Sequence, residues 1–165
     1  MPFLKGASSL IRRIAGNWEI SGINQFQTGA PFSIRTGDDF AGVGPGSGPQ
    51  FWNQVASADV QRTPFTNSAT WFNKNAFAQP APGTFGVQPR NALRNPGFWN
   101  WDVGIRKNFP IRQEVQHLQF RLEIFNLLNH PNWGAAVANP RSGSFGQVTS
   151  KFGQRQLQLA LKYIF

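Results

Sequence analysis

The chain has 165 residues, of which only 14% are charged, while 14% are aromatic, including 16 Phe and 6 Trp. Its mean hydropathy is nevertheless polar, at -0.35. No run approaches the ~18 apolar residues of a membrane helix, so a helical membrane protein is excluded. A polar average beside many aromatic side chains is typical of strands in which apolar and polar residues alternate.

The net charge of +9 raises the possibility of nucleic-acid binding, because Lys and Arg contacts to phosphate dominate such binding. The basic residues are scattered, with adjacent pairs only at 12–13 and 106–107. We therefore expect no nucleic-acid partner. The absence of Cys leaves no disulfide framework and no thiolate metal site.

Residues 1–16 mix apolar and basic side chains, which predicts a periplasmic turn or a short amphipathic helix at a membrane surface. The segment lacks the continuous apolar region, roughly 7–15 residues, of a signal peptide. An exported protein needs a signal, so either the chain is the tail of a longer precursor or the barrel interpretation is wrong.

Four segments show the two-residue period of a strand with one apolar face. In residues 17–35, Trp18, Ile20 and Phe26 share one parity, although Ile23 and Asn24 break the pattern. Pro31 is expected to end regular pairing, since proline has no N–H for a ladder, and Phe32 and Ile34 to continue as a bent extension.

The next two segments predict a hairpin. Apolar residues at 99, 101, 103 and 105 alternate with polar or small ones, and Leu118, Phe120, Leu122 and Ile124 do the same after a short turn at 110–116. The last segment, residues 155–165, matches the roughly 9–11 residues of a transmembrane β-strand. Its apolar parity consists of Leu157, Leu159, Leu161, Tyr163 and Phe165.

Two long polar stretches, 37–97 and 129–153, separate these strands and are too long for ordinary connections. Outer-membrane barrels have long extracellular loops and short periplasmic turns. We therefore interpret both stretches as extracellular loops and 110–116 as a periplasmic turn. The sequence predicts an all-β fold, an antiparallel up-and-down transmembrane β-barrel segment of about four strands over residues 17–165, in an outer membrane.

Residues 71–134 resemble the C-terminal end of TonB-dependent outer-membrane receptors, closest to the Oar-like subgroup, whose members also carry a carboxypeptidase-regulatory-like domain. The most specific stretches are RNALRNPGFWNWD, KNFP, FRLEIFNLLNHPN and the terminal LQLALKYIF. The resemblance implies a barrel of about 22 strands with a plugged lumen, in which this chain would be a fragment, or a separate reading frame, that holds the last four strands.

The same resemblance implies partners for the chain. These are the lipid of the outer membrane, the rest of the barrel and its plug, and TonB, the last only through an N-terminal part absent from these residues. It also implies that the alternating residues 157–165, ending on Phe165, act as an assembly signal for the barrel-assembly machinery. The alternative is that Phe165 only anchors the strand at the membrane–water interface.

Candidate catalytic chemistry is sparse. His117 and His130 are the only histidines, and with no Cys and seven acidic residues we expect no catalytic site, no metal site and no cofactor. A set of four charged residues falls on the inferred lumenal face of the predicted strands. These residues either line a ligand path or form a cross-strand charge ladder. That set is Asp102, Arg106, Arg121 and Glu123.

Aromatic residues near the strand ends predict girdles at the two membrane interfaces. They are Trp18, Trp99, Trp101 and Phe109, with Tyr163 and Phe165 at the inner rim. The pair at 99 and 101 is also compatible with a stacking platform. The loop aromatics Trp71, Phe72, Phe77 and Phe85 fit either packing of the loop on itself or contact with a ligand.

The main alternative is a soluble β-sandwich binding module, for instance for carbohydrate. The two interpretations differ in what covers the apolar residues of the last strand. A soluble sandwich must bury Leu157, Leu159 and Leu161, whereas a membrane barrel leaves them exposed to lipid.

Overall fold

A computed structural model describes residues 11, 14–44, 46–60, 70–112 and 116–165. The long elements of the described part are antiparallel β-strands, with a short 3-10 helix at Lys74–Ala76 and helical backbone at Ile11, Ile14 and Ala15. Among these residues, no helix has the length and hydrophobicity needed to cross a membrane. The strands in chain order are β1 (Trp18–Gln27), β2 (Pro31–Phe32), β3 (Arg35–Thr36), β4 (Gln50–Phe51), β5 (Asn53–Gln54), β6 (Phe77–Ala78), β7 (Leu93–Arg94), β8 (Phe98–Arg112), β9 (Gln116–Phe125), β10 (Asn132–Trp133), β11 (Lys151–Phe152) and β12 (Gln156–Ile164).

The chain divides into two compact units, the first of which holds the long strands within residues 1–26, 99–131 and 153–165. Its sheet has the order β1-β8-β9-β12, so the four long strands are neighbours in the order in which the chain forms them. Strands β8 and β12 both pair antiparallel with β9. This up-and-down meander confirms the four predicted strands and their topology.

Strand β8 is longer than the alternation predicts, and the predicted turn at 110–116 is wrong at both ends, since β8 runs to Arg112 and β9 begins at Gln116. Pro110 pairs with His117 within the β8–β9 ladder, and the strand continues to Arg112. A physical reason lies on the other side of β8, where the Asn108 N–H donates to the Asn17 carbonyl at 3.1 Å. Alternate residues of a strand direct their N–H groups to the same neighbouring strand, so the missing N–H of Pro110 is on the β1 side. That position lies beyond Trp18, the first residue of β1, so no ladder hydrogen bond is lost.

Strand β1 runs from Trp18 to Gln27 without interruption, although Ile23 and Asn24 break its pattern. As expected, the long strand ends before Pro31. The chain then forms the two-residue strand β2, in which Pro31 pairs with Arg94 and Phe32 with Leu93. The predicted extension therefore has a pairing partner of its own.

The second unit comprises the described residues of 27–98 and 132–152. Four two-stranded pairs shape it: β2 with β7, β3 with β4, β5 with β6, and β10 with β11. Its core is centred on Phe72, which is fully buried and lies 5.8 Å from the Phe32 and Phe77 rings and 5.4 Å from the Phe145 ring. The long polar stretches of the sequence thus form a packed unit with its own apolar centre.

The loop aromatics differ in whether they pack into the core of the second unit. Phe72 and Phe77 are buried, and Trp71 packs against the same core while its Nε1–H donates to the Arg94 carbonyl at 2.7 Å. Phe85 is different, because 64% of it is exposed. Three of the four therefore pack the unit on itself.

The predicted turn or helix over residues 1–16 falls mainly outside the described residues. Within it, Ile11, Ile14 and Ala15 are helical. The Trp18 Nε1–H donates to the Ile14 carbonyl at 2.9 Å, which fixes the start of β1 against this segment.

Candidate functional site

The apolar face of the four-stranded sheet is set by its register. Directly paired residues place their side chains on the same side of a sheet. In β9 and β12, Leu122 is opposite Leu159, and in β8 and β9 it is opposite Ile105. The alternation places the other predicted apolar residues on that same face, namely Trp101, Val103, Leu118, Phe120, Ile124, Leu157, Leu161 and Tyr163.

This face is uncovered along β12. Leu157, Leu159 and Leu161 are 65%, 67% and 66% exposed. A soluble sandwich would bury these side chains, since a continuous exposed apolar patch marks an interface with a partner or a membrane. The opposite residues Gln119, Gln156 and Gln158 lie on the other side of the sheet, as the alternation predicts.

Lys107 lies on the apolar face, where the two-residue period of β8 puts residue 107, but its burial and its partners were not predicted. It is opposite Phe120 and is only 2% exposed. Its Nζ donates to the carbonyls of Ile14, at 2.8 Å, and Gly16. The ammonium is also 4.9 Å from the centre of the Trp18 ring, a distance at which a cation is attracted to the ring face.

The polar face carries the predicted charged set. Arg106 lies directly opposite Arg121, and each has an acidic partner. The Arg106 Nη1 is 3.0 Å from the Glu19 Oε1 on β1, and the Arg121 Nη2 is 2.6 Å from the Glu123 Oε1 two positions along β9. Of the two ion pairs, only the first crosses between strands.

Asp102 belongs to a different arrangement from the other members of the charged set. Its Oδ1 accepts from the Asn126 N–H at 2.8 Å and from the Asn100 Nδ2 at 2.7 Å. Asn126 has a left-handed backbone, with a φ of 53°, and its side-chain amide contacts the carbonyls of His130 and Gly153. Asp102 therefore stabilises the end of the hairpin, and the structure does not bring it to either arginine of the set.

The predicted girdle residues separate into two groups at opposite ends of the sheet. Phe109, Leu118 and Tyr163 form one row across β8, β9 and β12, with the Trp18 ring beside Lys107. Trp99 and Trp101 lie at the other end of β8. Phe165 stacks on Tyr163, with the ring centres 5.9 Å apart.

The distance between these groups fits a membrane. Trp99 and Phe109 are ten positions apart on β8, which at ~3.3 Å per residue is about 33 Å along the strand. At the ~40° tilt of a barrel strand this gives about 25 Å along the membrane normal, the height of the apolar band of such barrels. The spacing favours the girdle over the stacking platform.

Trp99 has polar and aromatic contacts that limit it as a platform. Its Nε1–H donates to the Asn24 side-chain oxygen at 3.2 Å, and its ring meets the His130 ring at 5.1 Å between centres. The other histidine, His117, is opposite Pro110 and Ile164 near the far end of the sheet. In the part of the chain that the structure describes, no cluster of three potential metal-ligating side chains occurs.

A search of curated proteins and a search of solved structures each found no match. A family model described as an outer membrane beta barrel domain matches residues 1–158. Together with the antiparallel meander and its exposed leucines, this match shows that the chain belongs to the outer membrane beta barrel domain family and that it is a segment of an outer-membrane β-barrel.

Proposed function

We propose that the chain supplies wall strands and two extracellular loops to a non-enzymatic TonB-dependent receptor of the Oar-like subgroup, which takes up or binds a ligand at the cell surface. The observation that carries the proposal is the register of β8, β9 and β12. It puts the exposed leucines on one face and Arg106, Arg121 and Glu123 on the other. In a barrel wall, the first face meets lipid and the second meets the lumen.

The second unit supports a role in ligand handling. It coincides closely with the two stretches that the sequence predicts as extracellular loops, 37–97 and 129–153. Loops with their own buried core have a defined surface, which is what a receptor needs to recognise a ligand with little ordering cost.

The four described strands also point to a larger barrel. Outer-membrane barrels of bacteria have at least about 8 strands, and in the described part β1 and β12 each pair with only one neighbour. We propose that further strands close the wall, that a plug fills the lumen, and that energy arrives through TonB on the plug. Assembly would use the barrel-assembly machinery, with β12 and Phe165 as the recognised strand.

Topology is the first test: these 165 residues contain no Cys, and any Cys elsewhere in the barrel would be replaced before labelling. Single cysteines at Asn139 in the second unit and at Gln116 at the start of β9 would be labelled with a membrane-impermeant maleimide. The proposal expects Asn139→Cys to be labelled on intact cells and Gln116→Cys only after the outer membrane is opened. Labelling in the reverse order would contradict the assigned direction.

Binding to TonB, which would couple the barrel to an energy source, is the second test. The protein purified from outer membranes should be retained by the periplasmic domain of TonB. If removal of the N-terminal plug region abolishes this retention, the result supports a TonB-dependent receptor. If the intact protein is not retained, the barrel is not coupled to TonB and the proposal is contradicted.

A further inference from the structure

The second unit contains a cleft of about 920 Å³, which lies in the ~300–1,000 Å³ range of small-molecule sites. One wall comes from β2, β3 and β4 and a second from residues 85–91, and Ala138 and Asn139 complete the lining. We call it the Arg35–Arg90 cleft, after one arginine from each wall.

The two walls are held together by hydrogen bonds, so the cleft is formed before any ligand arrives. The Gln88 side chain acts like a backbone peptide, since its Nε2 donates to the Ile34 carbonyl at 2.5 Å and its Oε1 accepts from the Ile34 N–H at 3.4 Å. The Val87 N–H donates to the Asn53 side chain at 2.7 Å, and the Asn91 N–H to the Ser33 hydroxyl at 2.8 Å.

A glycine brings the walls close. A Cβ at Gly86 would overlap the Phe51 carbonyl oxygen, so only glycine lets residues 85–87 approach β4 this closely. The approach places Phe85 and Phe51 on the same cleft. This explains the exposure of Phe85, the loop aromatic that does not pack into the core.

The charge of the cleft is positive. Arg35 is opposite Phe51 in the β3–β4 pair, so the guanidinium and the ring share one face. The side chains of Arg35 and Arg90 have no ion pair and no hydrogen-bond partner among the residues that the structure describes. No acidic side chain is among the described residues that line the cleft.

The neighbouring acids are already engaged. Asp38 is 3.1 Å from the Arg141 Nε, and Asp39 accepts from the N–H groups of Val43 and Gly44. Because these carboxylates already bind other donors, the two cleft arginines are available to an external anion. Guanidinium groups bind carboxylates with paired, charge-assisted hydrogen bonds.

We propose that the Arg35–Arg90 cleft binds a small organic acid with an aromatic or apolar body, with the acid groups on the arginines and the body against Phe51 and Phe85. The inference rests on the proposed function for the exposure of this unit at the cell surface. Its chemistry rests on the cleft alone.

The test is calorimetric titration of the protein purified from outer membranes in detergent. The probe is 2,6-naphthalenedicarboxylate, and the matched neutral ligand is 2,6-naphthalenedimethanol. The diacid should bind at least about tenfold more tightly than the diol, because hydrogen bonds to charged groups are the stronger ones. Absence of diacid binding, or equal affinity for both ligands, would overturn the proposal.

Three variants and one control locate the site. Arg35→Gln and Arg90→Gln should each weaken diacid binding by about tenfold, while Lys74→Gln removes a charge from the same unit outside the cleft and should change it less than twofold. Gly37→Trp should abolish binding, since Gly37 lines the cleft and a Cβ there meets no atom within 4 Å. Unchanged binding in Gly37→Trp would place the ligand elsewhere and refute the proposal.

The two proposals fail separately. If the protein binds the diacid but is not retained by TonB, the cleft proposal stands and the receptor proposal is refuted. If it is retained by TonB but does not bind the diacid, the receptor proposal stands and the cleft proposal is refuted.

Discussion

Arg106 and Arg121 face each other directly across β8 and β9, and each is held by its own glutamate, Glu19 at 3.0 Å and Glu123 at 2.6 Å. Like charges in directly opposed positions destabilise a sheet. The two glutamates therefore neutralise a repulsion that the strand register imposes, in addition to forming ion pairs.

Glu123→Gln should destabilise the protein because it leaves the opposed arginines with one acid between them. We expect a loss of about 0.5–1 kcal/mol, since the Arg121–Glu123 pair is about one-third exposed. Urea unfolding in detergent measures it. The double variant Arg121→Gln/Glu123→Gln is the control, and it should recover most of the loss. A double variant no more stable than Glu123→Gln would contradict the repulsion.

Lys107→Met should destabilise the start of the sheet. The substitution keeps the apolar stem but removes the donor to the carbonyls of Ile14 and Gly16, a loss of about 1–3 kcal/mol for buried acceptors. Lys162→Met on β12 is the matched control, because Lys162 is exposed on the opposite face. The comparison uses the same unfolding measurement, and equal effects of the two variants would show that the buried contacts of Lys107 contribute nothing.

Asp39 should titrate at an unusually low pH. Its pKa lies below the ordinary 3.8 because the Gly44 N–H, and then the Val43 N–H and the Gln50 side chain, donate to its carboxylate. A lowered folded pKa stabilises the loop above pH 3.8, and this stabilisation is lost as the pH falls toward the folded value. An NMR titration of the carboxyl carbon should give a midpoint below 3.8. A midpoint at or above that value would contradict these contacts.

The long strands could be predicted from the sequence because their period is local. In β9 and β12 every second residue is apolar, and this alone puts Leu122 and Leu159 on one face. Lys107 is a charged residue at an apolar-face position of β8, and its burial depends on the carbonyls of Ile14 and Gly16, which are remote in sequence. The alternation within one strand carries no information about contacts with residues that are remote in sequence.

The second unit and its cleft could not be predicted from alternation. Their strands are two residues long, too short for a period, and the walls are joined by side chains such as Gln88, which bonds Ile34 from 54 positions away. A long polar stretch rich in Gly and Pro is equally typical of an unstructured loop. Of the signals that were visible, the aromatic residues at 71, 72 and 77 marked the core, but the sequence did not separate them from Phe85.

The most direct test of the account compares Leu159→Lys with Gln158→Lys, two neighbouring positions of β12 that point to opposite faces. A lysine at Leu159 would face lipid and should cost about 2–4 kcal/mol near the middle of the bilayer. A lysine at Gln158 would lie opposite Glu123 on the polar face and should be nearly neutral. Urea unfolding of the barrel in lipid vesicles measures both, and the account predicts a large loss for Leu159→Lys alone. Equal losses, or a larger loss for Gln158→Lys, would contradict a wall with lipid on its leucine face.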